Sequence, residues 1–269
     1  MIKYLLGLVL QLVSLVCFAQ SFGGSGFGGF HLLDAVSQKP QFIDKLESTP
    51  ASMTHLNQSV VSASVVNPYS IKGWKKTRLT MIAKWMDTNW LISYSGNKLN
   101  ELNGTTISVG AARSLSDNFS VGVNAAVEKL TIKSYASQTS YIGRFGFYFP
   151  VSSNLSFSTS VQLEKFSYLH ETKLSGVALF SYSPIREFVL LGAITKETEQ
   201  LPELLIGMQY QLLNNIFIRT AIGISNGVYQ GQLGYEFKKM KIGYGLAHHQ
   251  QLGFSSTIQL QFYLPHAKK

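Results

Sequence analysis

The stretch 204–264 alternates between apolar and polar residues almost without interruption, and this period constrains the fold more than any other feature of the chain. In 216–224 one parity carries Ile216, Ile218, Thr220, Ile222 and Ile224, the other Phe217, Arg219, Ala221 and Gly223. Tyr229, Leu233, Tyr235 and Phe237 then stand against Gln230, Gln232, Gly234 and Glu236. The last run sets Ile258, Leu260, Phe262 and Leu264 against Gln259, Gln261 and Tyr263. A period of two with one apolar face means strands. A soluble sandwich buries that face, whereas a membrane barrel turns it to lipid and keeps polar groups in its lumen. Alternation alone fits both.

The other end of the chain favours the barrel. Residues 1–19 read as a secretory signal: Lys3 supplies the positive region, 5–16 the apolar region, and Cys17-Phe18-Ala19 offers small residues at the −3 and −1 positions for cleavage before Gln20. The competing reading is a lipoprotein with Cys17 lipidated, against which Val16 is bulky for the preceding position. Cleavage leaves a mature chain without cysteine, which excludes disulfides and thiol chemistry. Beyond the signal no apolar run reaches the roughly 18–20 residues of a membrane helix. A chain that crosses a membrane this way must use strands that close on themselves. Charged residues make up only 14% of the sequence, and the mean hydropathy of +0.10 is high for an exported soluble domain. The net charge of +9 is spread singly along the chain. That argues against a nucleic-acid partner and for the anionic headgroups of outer-membrane lipid.

Within the mature chain, 20–57 reads as a non-barrel segment, a lumen plug or a periplasmic tether. Its 20–29 stretch is too glycine-rich for regular structure, and Pro40 and Pro50 break the weak helical spacing that follows. Residues 58–265 read as the barrel. Short polar turns recur as Asp87-Thr88-Asn89, Ser116-Asp117-Asn118, Ser152-Ser153-Asn154, Leu213-Asn214-Asn215 and Lys238-Lys239, with Pro184-Ile185-Arg186-Glu187 in the same role. Between them lie longer expected connections at 96–104, 133–138, 169–173 and 197–202. Short and long connections in alternation predict an all-β, antiparallel up-and-down transmembrane barrel of about 14 strands, with twelve as the nearest alternative. Trp85, Trp90, Tyr148, Phe149, Phe166, Tyr168, Phe262 and Tyr263 gather near strand ends, where interfacial girdles sit.

The lumen parity carries the candidate site. Taking the tight turns as register centres places Gln209 opposite Arg219, Arg219 opposite Gln232, and Glu236 opposite Lys241, with Glu128 one diagonal from Arg144. These residues either brace the wall or, through Arg144 and Arg219, hold an anionic solute or an acidic plug whose Asp34, Asp44 and Glu47 supply the charge. Catalytic chemistry finds no motif: the serines of 156–160 read as small wall residues, and no glycine-rich loop fits a phosphate. His248 and His249 point to opposite faces of a strand and cannot chelate a metal together. The expectation is therefore a non-enzyme without cofactor or metal.

Segments 203–211 and 212–219, Gly234-Tyr235-Glu236-Phe237-Lys238-Lys239, and the ending His248-His249-Gln250-Gln251-Leu252-Gly253-Phe254-Ser255 carry a resemblance. Over 105–264 the chain resembles the outer-membrane barrels that include long-chain fatty-acid transporters and the barrel subunits of type IX secretion, and more closely a further branch of that group. It departs at the front, where the group's Asn-Pro-Ala turn is matched only by Asn67-Pro68-Tyr69. The resemblance implies a bacterial outer-membrane location and two functions. One is passive uptake of a small hydrophobic solute through a plugged lumen. The other is a non-enzymatic scaffold for surface or secreted proteins.

Overall fold

The computed structural model describes Ile43 and residues 46–133, 137–167, 172–198, 200–225 and 227–264. The expected signal at 1–19, the glycine-rich stretch and both Asp34 and Asp44 lie outside the described residues, as does Tyr168. Fourteen strands form one closed antiparallel barrel in which each strand pairs with its neighbours in sequence. They run as β1 (Val60–Asn67), β2 (Lys75–Trp85), β3 (Thr88–Leu99), β4 (Leu102–Ser116) and β5 (Phe119–Ile132). β6 (Gln138–Pro150), β7 (Leu155–Phe166), β8 (Thr172–Ile185), β9 (Phe188–Glu197) and β10 (Glu203–Leu213) follow. β11 (Ile216–Gly223), β12 (Val228–Phe237), β13 (Met240–His249) and β14 (Gly253–Tyr263) complete the ring, and β14 pairs with β1 from Tyr263↔Val60 to Ser256↔Asn67.

The tight turns expected from the sequence all fall at one end. Met86-Asp87, Asp117-Asn118, Arg186-Glu187, Asn214-Asn215 and Lys238-Lys239 each join two strands directly, and 151–154 is slightly longer. β1 begins and β14 ends at this same end, which the short-turn rule assigns to the periplasm. At the opposite end one connection is shorter than expected. The stretch 96–104 is mostly strand, closed by a two-residue turn at Asn100-Glu101. Asn100 takes φ 46° there, a left-handed value that asparagine tolerates.

The alternation sorts the faces as the parity predicts. Ile218, Leu233, Tyr235, Ile258 and Phe262 are exposed on the outer wall, while Phe217, Arg219, Gln232, Gln259 and Gln261 are buried inside. Nothing in a soluble fold would leave such a belt of large apolar side chains exposed around a closed ring; lipid covers it. Two cross-strand pairs set an aromatic ring over a glycine: Phe180 on Gly192 and Phe217 on Gly234. The expected girdle divides, because parity overrides the position of a residue along its strand. Trp85, Trp90, Phe149 and Phe262 take outward positions, whereas Tyr148, Phe166 and Tyr263 fall on the lumen parity.

Candidate functional site

The lumen has three sides of different chemistry. On β10–β14, Gln209 lies opposite Arg219, Arg219 opposite Gln232, and Glu236 opposite Lys241, as expected. Arg219 is 1% exposed, and its Nη1 donates to Gln232 Oε1 at 3.0 Å. Gln232 Nε2 donates in turn to Gln259 Oε1 at 2.5 Å. Lys241 Nζ pairs with Glu236 Oε2 at 3.1 Å. Gln261 extends the polar face by donating to the Tyr263 hydroxyl at 2.9 Å and accepting from the backbone N–H of Ile43 at 3.1 Å.

The second side is charged and lies on β2–β7. Arg144 stands between Asn124 and Gln162 in register, donating from Nε to Gln162 Oε1 at 2.7 Å and from Nη1 to Asn124 Oδ1 at 2.9 Å. Glu128 is farther from it than expected. Glu128 faces Ser140, so two same-face steps, not one diagonal, separate it from Arg144. The five-residue connection 133–137 joins these strands, and a loop of that length does not pin register as a two-residue turn does.

Glu47 enters this side from the segment before β1. Its carboxylate meets Arg78 Nη1 at 2.9 Å and accepts from the hydroxyls of Ser93 at 2.7 Å and Ser108 at 2.8 Å. Burial alone would push the carboxyl up. The Arg78 guanidinium, helped by the more distant Arg144 and the two hydroxyls, instead holds it down at about 2. Breaking one partner of a buried pair typically costs about 3–5 kcal/mol. Arg78, Ser93 and Ser108 escape a sequence reading because their partner comes from a segment without periodicity.

Two short 3-10 turns, Leu46–Ser48 and Pro50–His55, carry Glu47 and its neighbours along the inner wall. The seat is a row of small residues, Ala112, Gly122, Gly146 and Ser160, in continuous register across β4–β7. A Cβ on Gly122 would lie 2.4 Å from both Ala51 N and Pro50 C, so only glycine admits this approach. Ser160 Oγ donates to Ser48 O at 2.6 Å, the hydroxyls of Ser52 and Ser158 lie 3.1 Å apart, and Asn89 Nδ2 donates to Met53 O at 2.6 Å. The His55 ring stands edge-on to Tyr148 at 3.9 Å, and burial pushes its pKa down to about 4.

The third side is apolar. Leu179, Ala193 and Leu205 share one cross-strand row on β8–β10, with Leu191 and Ala221 beside them. They form a single cluster with Ile43, Leu46 and Met53. Leu179 and Leu191 are 0% and 1% exposed. At the far rim, His248 packs on Phe254 and His249 on Tyr69.

No protein-family model matches the chain, and no curated protein does. Among solved structures it is similar to the CymD monoaromatic hydrocarbon channel, with a TM-score of 0.63 at 10% identity over 87% of this chain and 95% of that one. The Pseudomonas putida toluene transporter TodX matches with a TM-score of 0.55 at 8% identity, covering 90% and 97% of the two chains. A Pseudomonas aeruginosa FadL homologue gives a TM-score of 0.55 at 8% identity, covering 79% and 91%. This chain is an outer-membrane β-barrel. At such low identity the likeness is one of fold, and the closed ring, the lipid-facing belt and the two-ended turns agree with it.

Proposed function

We propose that the barrel is a passive channel for small hydrophobic solutes, with the segment before β1 acting as a plug. The observation that carries the reading is the apolar side of the lumen, where Leu179, Leu191 and Leu205 face inward. Ile43, Leu46 and Met53 of the plug cover these leucines, so an apolar solute that displaces the plug meets an inner wall on which it gains about 25 cal/mol for each Å² it removes from water. Hydrocarbon channels and a toluene transporter among the fold's neighbours support the same solute class. In this reading the polar network of Gln209, Arg219, Gln232, Glu236 and Lys241 braces the neighbouring wall. Arg144 and Glu128 belong to the charged side on which the plug is held. The scaffold reading draws on no observed feature: connections at the far end span two to seven residues, little surface for capturing a protein.

Cells that express the protein should take up radiolabelled toluene faster than cells that lack it. A Leu191→Gln/Leu205→Gln variant that still folds should lose most of that gain. Uptake no faster than in cells without the protein would end the proposal.

A further inference from the structure

The outer wall carries a recess of about 620 Å³ between β4 and β7. It exists because two outward positions that face each other in register, Ala125 and Gly143, are small. A Cβ on Gly143 would meet nothing within 4 Å. The surrounding side chains, Ile107, Val127, Tyr141 and Leu163, are large, apolar and exposed. The recess is therefore a gap in the lipid-facing surface.

Above it the wall becomes basic. Lys129 follows Val127 on the outward parity of β5, and Lys165 lies directly opposite Tyr141 on β7. Both lysines are exposed. At 3.3 Å per residue, Lys129 sits roughly 13 Å along the strand from Ala125, toward the end opposite the tight turns. The lumen face of this rim is mixed, with Lys173 directly opposite Glu164, but the acids beside the outward lysines all face inward. Glu128, Glu164 and Glu197 fall on the lumen face, while their chain neighbours Lys129, Lys165 and Lys196 fall on the outer one. The outside of the rim is thus left positive next to an apolar slot.

We propose that this recess binds a phosphorylated, acylated lipid of the outer leaflet, of the lipid A type. One acyl chain fills the slot over Ala125 and Gly143, and a phosphate group meets Lys129 and Lys165. A phosphate on the periplasmic leaflet would lie at the wrong end of the slot. The site is independent of the solute path, because every side chain it uses points away from the lumen.

Native mass spectrometry of the full-length barrel, titrated separately with lipid A, dephosphorylated lipid A and phosphatidylglycerol, tests the proposal. Lipid A should bind most tightly. Lys129→Gln/Lys165→Gln should weaken lipid A binding roughly thirtyfold, at about 1 kcal/mol for each lysine near the surface, and should leave the dephosphorylated lipid unaffected. Ala125→Leu, which fills the slot without touching a glycine, should weaken lipid A to a similar extent. Heat-modifiable migration on a gel verifies that each variant is folded. Lipid A bound no tighter than phosphatidylglycerol would overturn the proposal. So would Ala125→Leu binding as the unmodified protein does, since that reduces the effect to diffuse surface charge.

Discussion

At the scale of single residues, Gly122 and His55 govern how the segment before β1 sits in the lumen. Gly122→Ala would drive a methyl group into Pro50 and Ala51, so the segment must lift while the wall stays closed. The expected outcome is higher ionic conductance and faster proteolysis within 46–56, with unchanged migration of the folded barrel. Gly245→Ala serves as the comparison: it faces inward, its nearest contact would be 3.7 Å away, and it should change neither readout. His55 adds a pH dependence. Docked, its pKa lies at about 4 against an ordinary 6.5, so the undocked segment binds more protons between those values. Docking is therefore strongest above pH 6.5 and weakens as the pH falls toward 4. Glu47, held at about 2 from an ordinary 4.5, contributes fully above about pH 5 and begins to lose its contribution at the acid end of the window, as the pH falls through 4.5 toward 2. Bilayer conductance should rise from pH 6.5 to 4, and His55→Gln should flatten the rise. An identical profile in the variant would assign the effect to another group.

At the scale of strands, the two faces should respond oppositely to the same charge. Ile218→Arg places a guanidinium in lipid and should cost about 2–4 kcal/mol near midplane. Gln230→Arg, one strand over and inward, should cost far less in the same denaturant titration, and equal losses would mean the faces are reversed. The same logic explains how far the sequence could be read. The Glu236–Lys241 pairing was legible because the two-residue turn at Lys238-Lys239 leaves no freedom of register. By contrast, a bulge between Gln211 and Leu213 lies between the turn and the Gln209–Arg219 pair, and the four-residue connection 224–227 joins Arg219 to Gln232. Glu128 and Arg144 are joined through 133–137, which leaves the offset open. Glu47 was legible as an acid available to a lumen arginine, but its partner Arg78 was not, because a segment without periodicity carries no register at all. The small-residue row Ala112, Gly122, Gly146 and Ser160 shows why strand patterning missed the seat: four small residues on four strands are adjacent only once the sheet has formed.

At the scale of the whole molecule, a closed ring with a lipid-facing belt should fractionate with the outer membrane and migrate anomalously on a gel until heated. Recovery from the soluble periplasmic fraction would contradict the fold's assignment to a membrane. The pairing of β1 with β14 also carries a meaning in time. β14 is the partner of β1, so the ring cannot close until both have been exported. Every earlier species presents two unsatisfied edges, each a template for pairing with another chain. The contact that removes both edges is also the one most distant in sequence, which makes closure slow. The segment at 46–56 leads straight into β1 and lies on the inner side, so it must be gathered there before the seam zips or thread the periplasmic mouth afterwards. A chain cut before Gly253 should therefore not yield a leakier barrel. It should accumulate as an open-edged species bound by periplasmic chaperones and cleared by proteases.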